Sequence, residues 1–279
     1  MKKFLFLFII FLFGVLFSFP LSFAQEDNQE LEGFNLVGYS DGGEKDWDIK
    51  GTTATIQNKE INITDVDANS YGQENMNVTA KKGRIDKDKG DMRLEQDVVV
   101  TTQDGAKMLT DSLEWEKQKD LITTNDDVTI LRDNMKAVGK GITAQPGLNK
   151  AQLNQDVVVE YKPKPGDPLK DMVTISCDGP MEVDYVGQTA IFHDKVIAIQ
   201  GDRKLMADEM QISFDSEQKQ IKEMICIGNV LIVQGENTSF SDKAVYQAAE
   251  KKIKLYGRPK LLLYMQDKTD KDSHVPFGS

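Results

Sequence analysis

The chain has 279 residues, of which 39% are hydrophobic and 28% charged, and a formal net charge of -11. A body this acidic does not offer the basic grooves that nucleic acids select, so no nucleic-acid partner is expected. Only two histidines and two cysteines occur, and neither type falls in a cluster with metal-ligand spacing.

The first 24 residues differ from the rest. Lys2 and Lys3 precede an unbroken apolar run from Phe4 to Phe17, and Ser22 and Ala24 stand where a signal peptidase expects small residues. The uncharged span 4–24 is also long enough to cross a bilayer as a helix. Residues 1–24 therefore read either as a cleaved secretory signal or as an N-terminal membrane anchor, and both export the remainder of the chain.

Strand patterns then succeed one another. Leu36 to Ser40 and Trp47 to Ile63 open the series, and Ile61 to Val66 continues it. Val78 to Val100 turns at Asp86-Lys87-Asp88-Lys89-Gly90, and Met108 to Ile130 turns at Glu116-Lys117-Gln118-Lys119-Asp120. In the latter, Leu109, Leu113 and Trp115 alternate with Thr110, Ser112 and Glu114, the period-two signature of a half-buried strand. A Pro-rich stretch at 162–170 forms a loop or linker. Leu205 to Val233 repeats the pattern with a turn at Asp215 to Lys219; Val245 to Ile253 and Leu261 to Leu263 close it, before a polar tail at 267–279. No sustained helical stripe occurs after the N-terminus, so the fold class is all-β.

One phrase recurs through these strands. Gln96-Asp97, Asp126-Asp127, Gln155-Asp156, Asp194-Lys195 and Gly228-Asn229 each lead into an apolar run, and the valines at the head of those runs are spaced by 30, 29, 39 and 34 residues. Self-similarity at such a period marks stacked supersecondary units that cannot bury their apolar faces alone. Each unit is a hairpin with an apolar inward face, so the interior between facing sheets is either a packed core or an open groove. Val98, Val100, Leu113, Trp115, Val128, Ile130, Val157 and Val159 are the expected inward, groove-lining positions. The opposite parity, with Val99 and Val158 inward, stays open, since a one-residue slip reverses every assignment. Val196 to Ile199 and Val230 to Val233 are apolar on both faces, pointing to a second covered surface or a partner.

Catalytic chemistry is hard to find. His193 precedes Asp194 in what reads as a solvated turn, and His274 stands in a different context. Gly38 to Lys45 lacks the ending of a phosphate loop, and Asp86 to Asp91 puts Gly90 where a calcium loop needs an oxygen. No nucleophile–base pair stands out, so no enzymatic activity and no cofactor are expected. Cys177 and Cys226 read as buried small apolar residues, with a single disulfide as the alternative. The basic stretch Lys251, Lys252, Lys254, Arg258 and Lys260 reads as a solvated face rather than a lipid-phosphate contact.

Trp47-Asp48-Ile49-Lys50-Gly51 with Ala54, then Ile63, Asp65-Val66 and Ala68, then Val78-Thr79-Ala80, Gly83, Gly90, Leu94 and Asp97-Val98 resemble the LptC family of periplasmic lipopolysaccharide-export proteins. Thr110-Asp111, Leu113, Trp115, Thr123, Asp127-Val128, Ala137, Gly139 and Gly141 continue that likeness to about Tyr161. From Leu205, the set Ala207-Asp208, Phe214-Asp215, Ile221, Gly228-Asn229-Val230, Ala244, Tyr246, Lys252-Ile253 and Gly257 is similar to the related OstA-like (LptA-type) repeat. The resemblance implies an LptC-like jellyroll over 25–161 and an OstA-like continuation over 171–266. The implied architecture is an elongated, V-shaped, twisted antiparallel β-jellyroll whose apolar groove holds acyl chains of lipopolysaccharide. It further implies a periplasmic location, receipt of lipid from an inner-membrane ATP-binding-cassette transporter, and docking of an LptA-type jellyroll by edge-strand addition. The competing expectation from the residues is a structural or adhesive exported β-solenoid with a closed core and no lipid binding. A weaker one is a polysaccharide-processing enzyme with carboxylates converging in a cleft.

Overall fold

A computed structural model describes residues 29–39, 42–71, 75–163, 171–215, 221–250 and 252–264. The export segment expected at 1–24, most of the Pro-rich stretch, the turn residues 216–219, Lys251, His274 and the tail at 267–279 lie outside them. Among the described residues no helix is long and apolar enough to cross a membrane.

The chain is nearly all β. It divides into two compact units, residues 1–157 and 158–279. The first holds β1 (Gln29–Tyr39), β2 (Lys45–Gln57), β3 (Glu60–Ser70), β4 (Met76–Asp86), β5 (Met92–Thr102), β6 (Lys107–Glu116), β7 (Leu121–Arg132) and β8 (Met135–Gln145). The division falls within β9 (Lys150–Tyr161). The second unit continues with β10 (Val173–Cys177), β11 (Met181–Asp184), β12 (Thr189–Gln200), β13 (Arg203–Phe214), β14 (Ile221–Gln234), β15 (Asn237–Gln247), β16 (Lys252–Tyr256) and β17 (Lys260–Leu262). Within each unit sequence neighbours pair antiparallel, as tandem hairpins do when their joints are short.

The turns arise from local chemistry. At Asp86 to Gly90 the Asp86 Oδ1 accepts bonds from the backbone N–H of Asp88 (2.9 Å) and Lys89 (3.0 Å), while Gly90 N–H donates to the Asp86 carbonyl at 2.7 Å. Lys117 to Lys119 form one 3-10 turn that ends on Asp120 in the left-handed region.

The repeated phrase is not a turn between strands but a corner within them. Gln96 and Asp97, Asp156, Asp194 and Lys195, and Gly228 and Asn229 all have positive φ. At three of these points the ladder loses register, between Glu95 and Val98, His193 and Val196, and Ile227 and Val230. At each, two left-handed residues face a single residue of the partner strand, and the one extra residue acts as a bulge, bending a long strand and re-aiming everything after it. Asp and Asn tolerate that region better than other side chains, which explains why they recur. Asp126-Asp127 breaks the rule: the register shifts between Thr124 and Asp127, but the left-handed residue is Gly141 on the partner strand.

The expectation for His193 is accordingly corrected. It lies inside β12, not in a solvated turn, with its side chain 29% exposed, Nε2 3.5 Å from Glu182 Oε1 and Nδ1 3.4 Å from Glu209 Oε2. The Asp194-Lys195 corner reads as a turn from sequence because a bulge uses turn residues.

Near the start of the first unit, Asp48 is 1% exposed. Its carboxylate pairs with Lys45, accepts from Asn69 Nδ2 at 2.9 Å and from Tyr71 Oη at 3.0 Å. These partners, Lys45 foremost, hold its pKa down at about 2.

Candidate functional site

The corners create two inward-facing rows in the first unit, one on each side of the bend. Before the bend, register links Ala54 to Ile63, Ile63 to Gly83, Gly83 to Leu94 and Leu94 to Leu113, and Thr124 to Ile142. After it, Val66 faces Ala80, Val98 faces Thr110 and Val128 faces Gly139. All of these are buried apart from the half-buried Gly139. The rows touch: a Cβ added to Gly83 would lie 2.8 Å from Val66 Cγ2 and 3.4 Å from Leu94 Cδ2. Gly83 is small because the two halves of the bent sheet close on each other there. We call this seam the floor; each fully buried valine or leucine in it stabilises the unit by about 1.5–3 kcal/mol.

One pleat outward on the same face the side chains change state. One row runs Ile56, Ile61, Ile85, Met92, Trp115, Ile122 and Ala144, each the register partner of the next. The other runs Ile49, Ala68, Val78, Val100, Met108 and Ile130 in the same way. Every member is half-buried. These walls are continuous, apolar and uncharged, and they flank a sealed floor.

Six of the eight candidates from sequence lie in these two levels, and Val157 and Val159 on β9 lie outside the rows. Val98 (1%), Leu113 (8%), Val128 (1%) and Val157 (0%) are buried, the first three in the floor rows. Val100, Trp115, Ile130 and Val159 are half-buried. Val100 and Ile130 meet through Met108, and Trp115 stands between Met92 and Ile122. Val157 and Val159 fall on opposite sides of the unit division. Val99 is half-buried and pairs with Leu109, on the other face of the strand from Val98. Ile61, Ile85, Met92, Met108 and Ile122 belong to the same rows, although sequence reasoning does not select them. The signal available for each is strand alternation, which puts it an even number of positions from a buried residue of its own strand.

The second unit repeats the arrangement with larger side chains. Met181, Phe192, Met210, Cys226 and Ala244 are register partners in sequence and all buried, and beyond the corner lie buried Val196, Ala207, Val230 and Ser241. Cys177 and Cys226 are both buried and not bridged by a disulfide, and burial pushes the Cys226 thiol up to about 12. The second apolar face expected from Val196 to Ile199 and Val230 to Val233 is also present. Ile197, Met206, Leu231 and Phe240 form an outward row, with Phe240 42% and Ile199 44% exposed.

Charge sits on the outside of the corners. Lys81 pairs with Asp97, Ser112 Oγ donates to Asp126 Oδ2 at 2.6 Å, and Asn229 Nδ2 donates to Asp208 Oδ2 at 2.8 Å. Among the described residues no group of three or more His, Cys, Asp or Glu side chains could hold a metal ion.

Comparison with protein families gives two matches. Residues 24–162 match the family described as Lipopolysaccharide-assembly, LptC-related, and residues 179–273 match the LptA/(LptD N-terminal domain) LPS transport protein family. No curated protein matched the chain.

Proposed function

Starting from a chain that belongs to the LptC-type lipopolysaccharide-transport proteins and carries a C-terminal LptA-like region, we propose that its inward apolar rows shield lipopolysaccharide acyl chains in the periplasm. The lipid arrives from an inner-membrane ATP-binding-cassette transporter and leaves toward the outer membrane through an LptA-type jellyroll. The observation that carries this reading is the pair of half-buried walls beside the floor. A solenoid built only for rigidity gains nothing from leaving Trp115, Met92, Met108 and Ile130 partly wet, whereas a contiguous apolar surface of this kind is what an acyl chain covers. Each methylene moved from water onto such a surface gains about 0.8 kcal/mol, enough to hold a chain without any charged contact.

The terminal strands supply the docking points. Within the first unit β1 pairs with β2, and in the second unit β16 and β17 both pair with β15. A partner strand added beside such a terminal strand continues the ladder and its alternating faces. Residues 4–24 either anchor the protein to the inner membrane or are removed on export.

Photo-crosslinking separates the faces. A photoreactive side chain at Trp115 or Ile130 is expected to capture labelled lipopolysaccharide, while one at Val99 or Leu109 stays unlabelled. Labelling confined to the outer positions, or none anywhere, removes the proposal in favour of the closed solenoid.

A further inference from the structure

Two hydroxyl groups sit where nothing in the protein bonds them. Thr110 and Ser241 are 7% and 8% exposed, and the Oγ1 of one and the Oγ of the other are buried without a hydrogen-bond partner. They occupy the same place in the two units. Thr110 is the register partner of Val98 and Ser241 of Val230, each valine being the first residue after a left-handed corner, and both side chains point into the floor. In the other hairpins this place holds Ala80 opposite Val66, Gly139 opposite Val128 and Ala207 opposite Val196. Space there admits only a small side chain, and alanine satisfies that need without a polar atom. A nearby buried hydroxyl shows what internal satisfaction looks like: Thr124 Oγ1 accepts from the Asp126 N–H at 3.1 Å and lies 3.4 Å from Ser112 Oγ. An unpaired buried hydroxyl destabilises the empty protein, so its recurrence at equivalent floor positions needs a partner from outside.

Resting on the acyl-chain reading above, we propose that Thr110 and Ser241 hydrogen-bond an oxygen carried on the acyl chain itself, so that the trough favours hydroxylated acyl chains over unsubstituted ones. The carbonyl at the head of a chain stays near the rim and water. An oxygen that reaches the floor has to be a substituent along the chain. A hydroxyl donates to or accepts from Thr and Ser equally well, and no charge is present on the floor or walls of the first unit to recruit anything more polar. Because both oxygens are sealed in the empty units, the chain engages them by parting the two floor rows, and the hydroxyl contact offsets part of the lost packing.

The test uses the full chain, its Thr110→Val and Ser241→Ala double variant, and two probes: a fatty acid hydroxylated at mid-chain and the unsubstituted acid of the same length, each competing with a fluorescent fatty acid. The ratio of the two affinities is expected to shift by roughly 3- to 10-fold toward the unsubstituted acid in the variant, while the variant's melting temperature holds or rises because unpaired hydroxyls have been removed. An unchanged ratio with both acids bound overturns this inference and leaves the acyl-chain reading standing. Failure of the wild type to bind either acid overturns both. A melting temperature that drops by several degrees shows that the hydroxyls are bonded within the protein, which also overturns it.

Discussion

Asp48 shows how one residue ties a unit to its surroundings. Its carboxylate is nearly inaccessible, yet Lys45 on its own strand and Asn69 and Tyr71 at the end of β3 keep it ionised, with its pKa depressed to about 2. A depressed carboxylate contributes stability that is complete above the ordinary aspartate value near 4 and disappears as pH falls through the folded value. The melting temperature of the wild type should therefore fall between about pH 4 and pH 2. Asp48→Asn should lower it at pH 7, by about 1–3 kcal/mol of stability, and flatten the acid limb in that window; an unaltered acid limb measured by circular dichroism would show that other carboxylates govern it. The sequence offers Trp47-Asp48-Ile49 only as a family-like string. The burial of Asp48 depends on Asn69 and Tyr71, which the pairing of β2 with β3 brings near it, and that pairing has no local signature.

At the level of the strand, the corner is the device that matters. Left-handed backbone costs an L-residue roughly 1–2 kcal/mol, less for Asn, Asp and Gly. Replacing Asp97 (φ 54) by valine should lower stability by about 1–2 kcal/mol, read as an earlier urea midpoint with an unchanged slope. The same change at Asp127, which has no positive φ, should be nearly silent in backbone terms, and an equal loss at both sites would remove the corner account. The recurring pair is plain in the sequence, as are the strands, their alternation and the hairpin turns at Asp86 and Lys117. Its meaning is not. Turn residues inside a continuous ladder look like a break, and only the register shift at Val98, Val196 and Val230 shows that the strand carries on with a new direction. That is also why sequence puts His193 in a turn. The division of six of the eight candidates into floor and wall is equally hidden, because Val98 and Val100 share one face and one residue type, and only distance from the corner separates them.

For the molecule as a whole, two family signatures in one chain mean that rows of the same kind recur in both units. The docking proposed above uses the terminal strands, and the last described strands of the second unit are the short β16 and β17, with Leu261 and Leu262 59% and 61% exposed. Leu261→Pro removes an N–H that alternation along β17 turns away from β15 and that an added strand would use, and proline is tolerated at an edge. The variant is expected to melt within about 0.5 kcal/mol of wild type while losing roughly tenfold or more in affinity for an LptA-type jellyroll by surface plasmon resonance. Retained affinity would move the docking point elsewhere. The sequence signals the exposed leucines but not that they share β15 with β16.

The left-handed corner has a consequence for ancestry. Since left-handed corners recur along the chain, at Asp65, Gln96-Asp97, Gly141, Asp156, Asp194-Lys195 and Gly228-Asn229, a hairpin of about thirty residues copied in tandem arrives already shaped to sit on its neighbour. Span becomes a quantity that gene duplication can adjust one step at a time, with no new joint to invent.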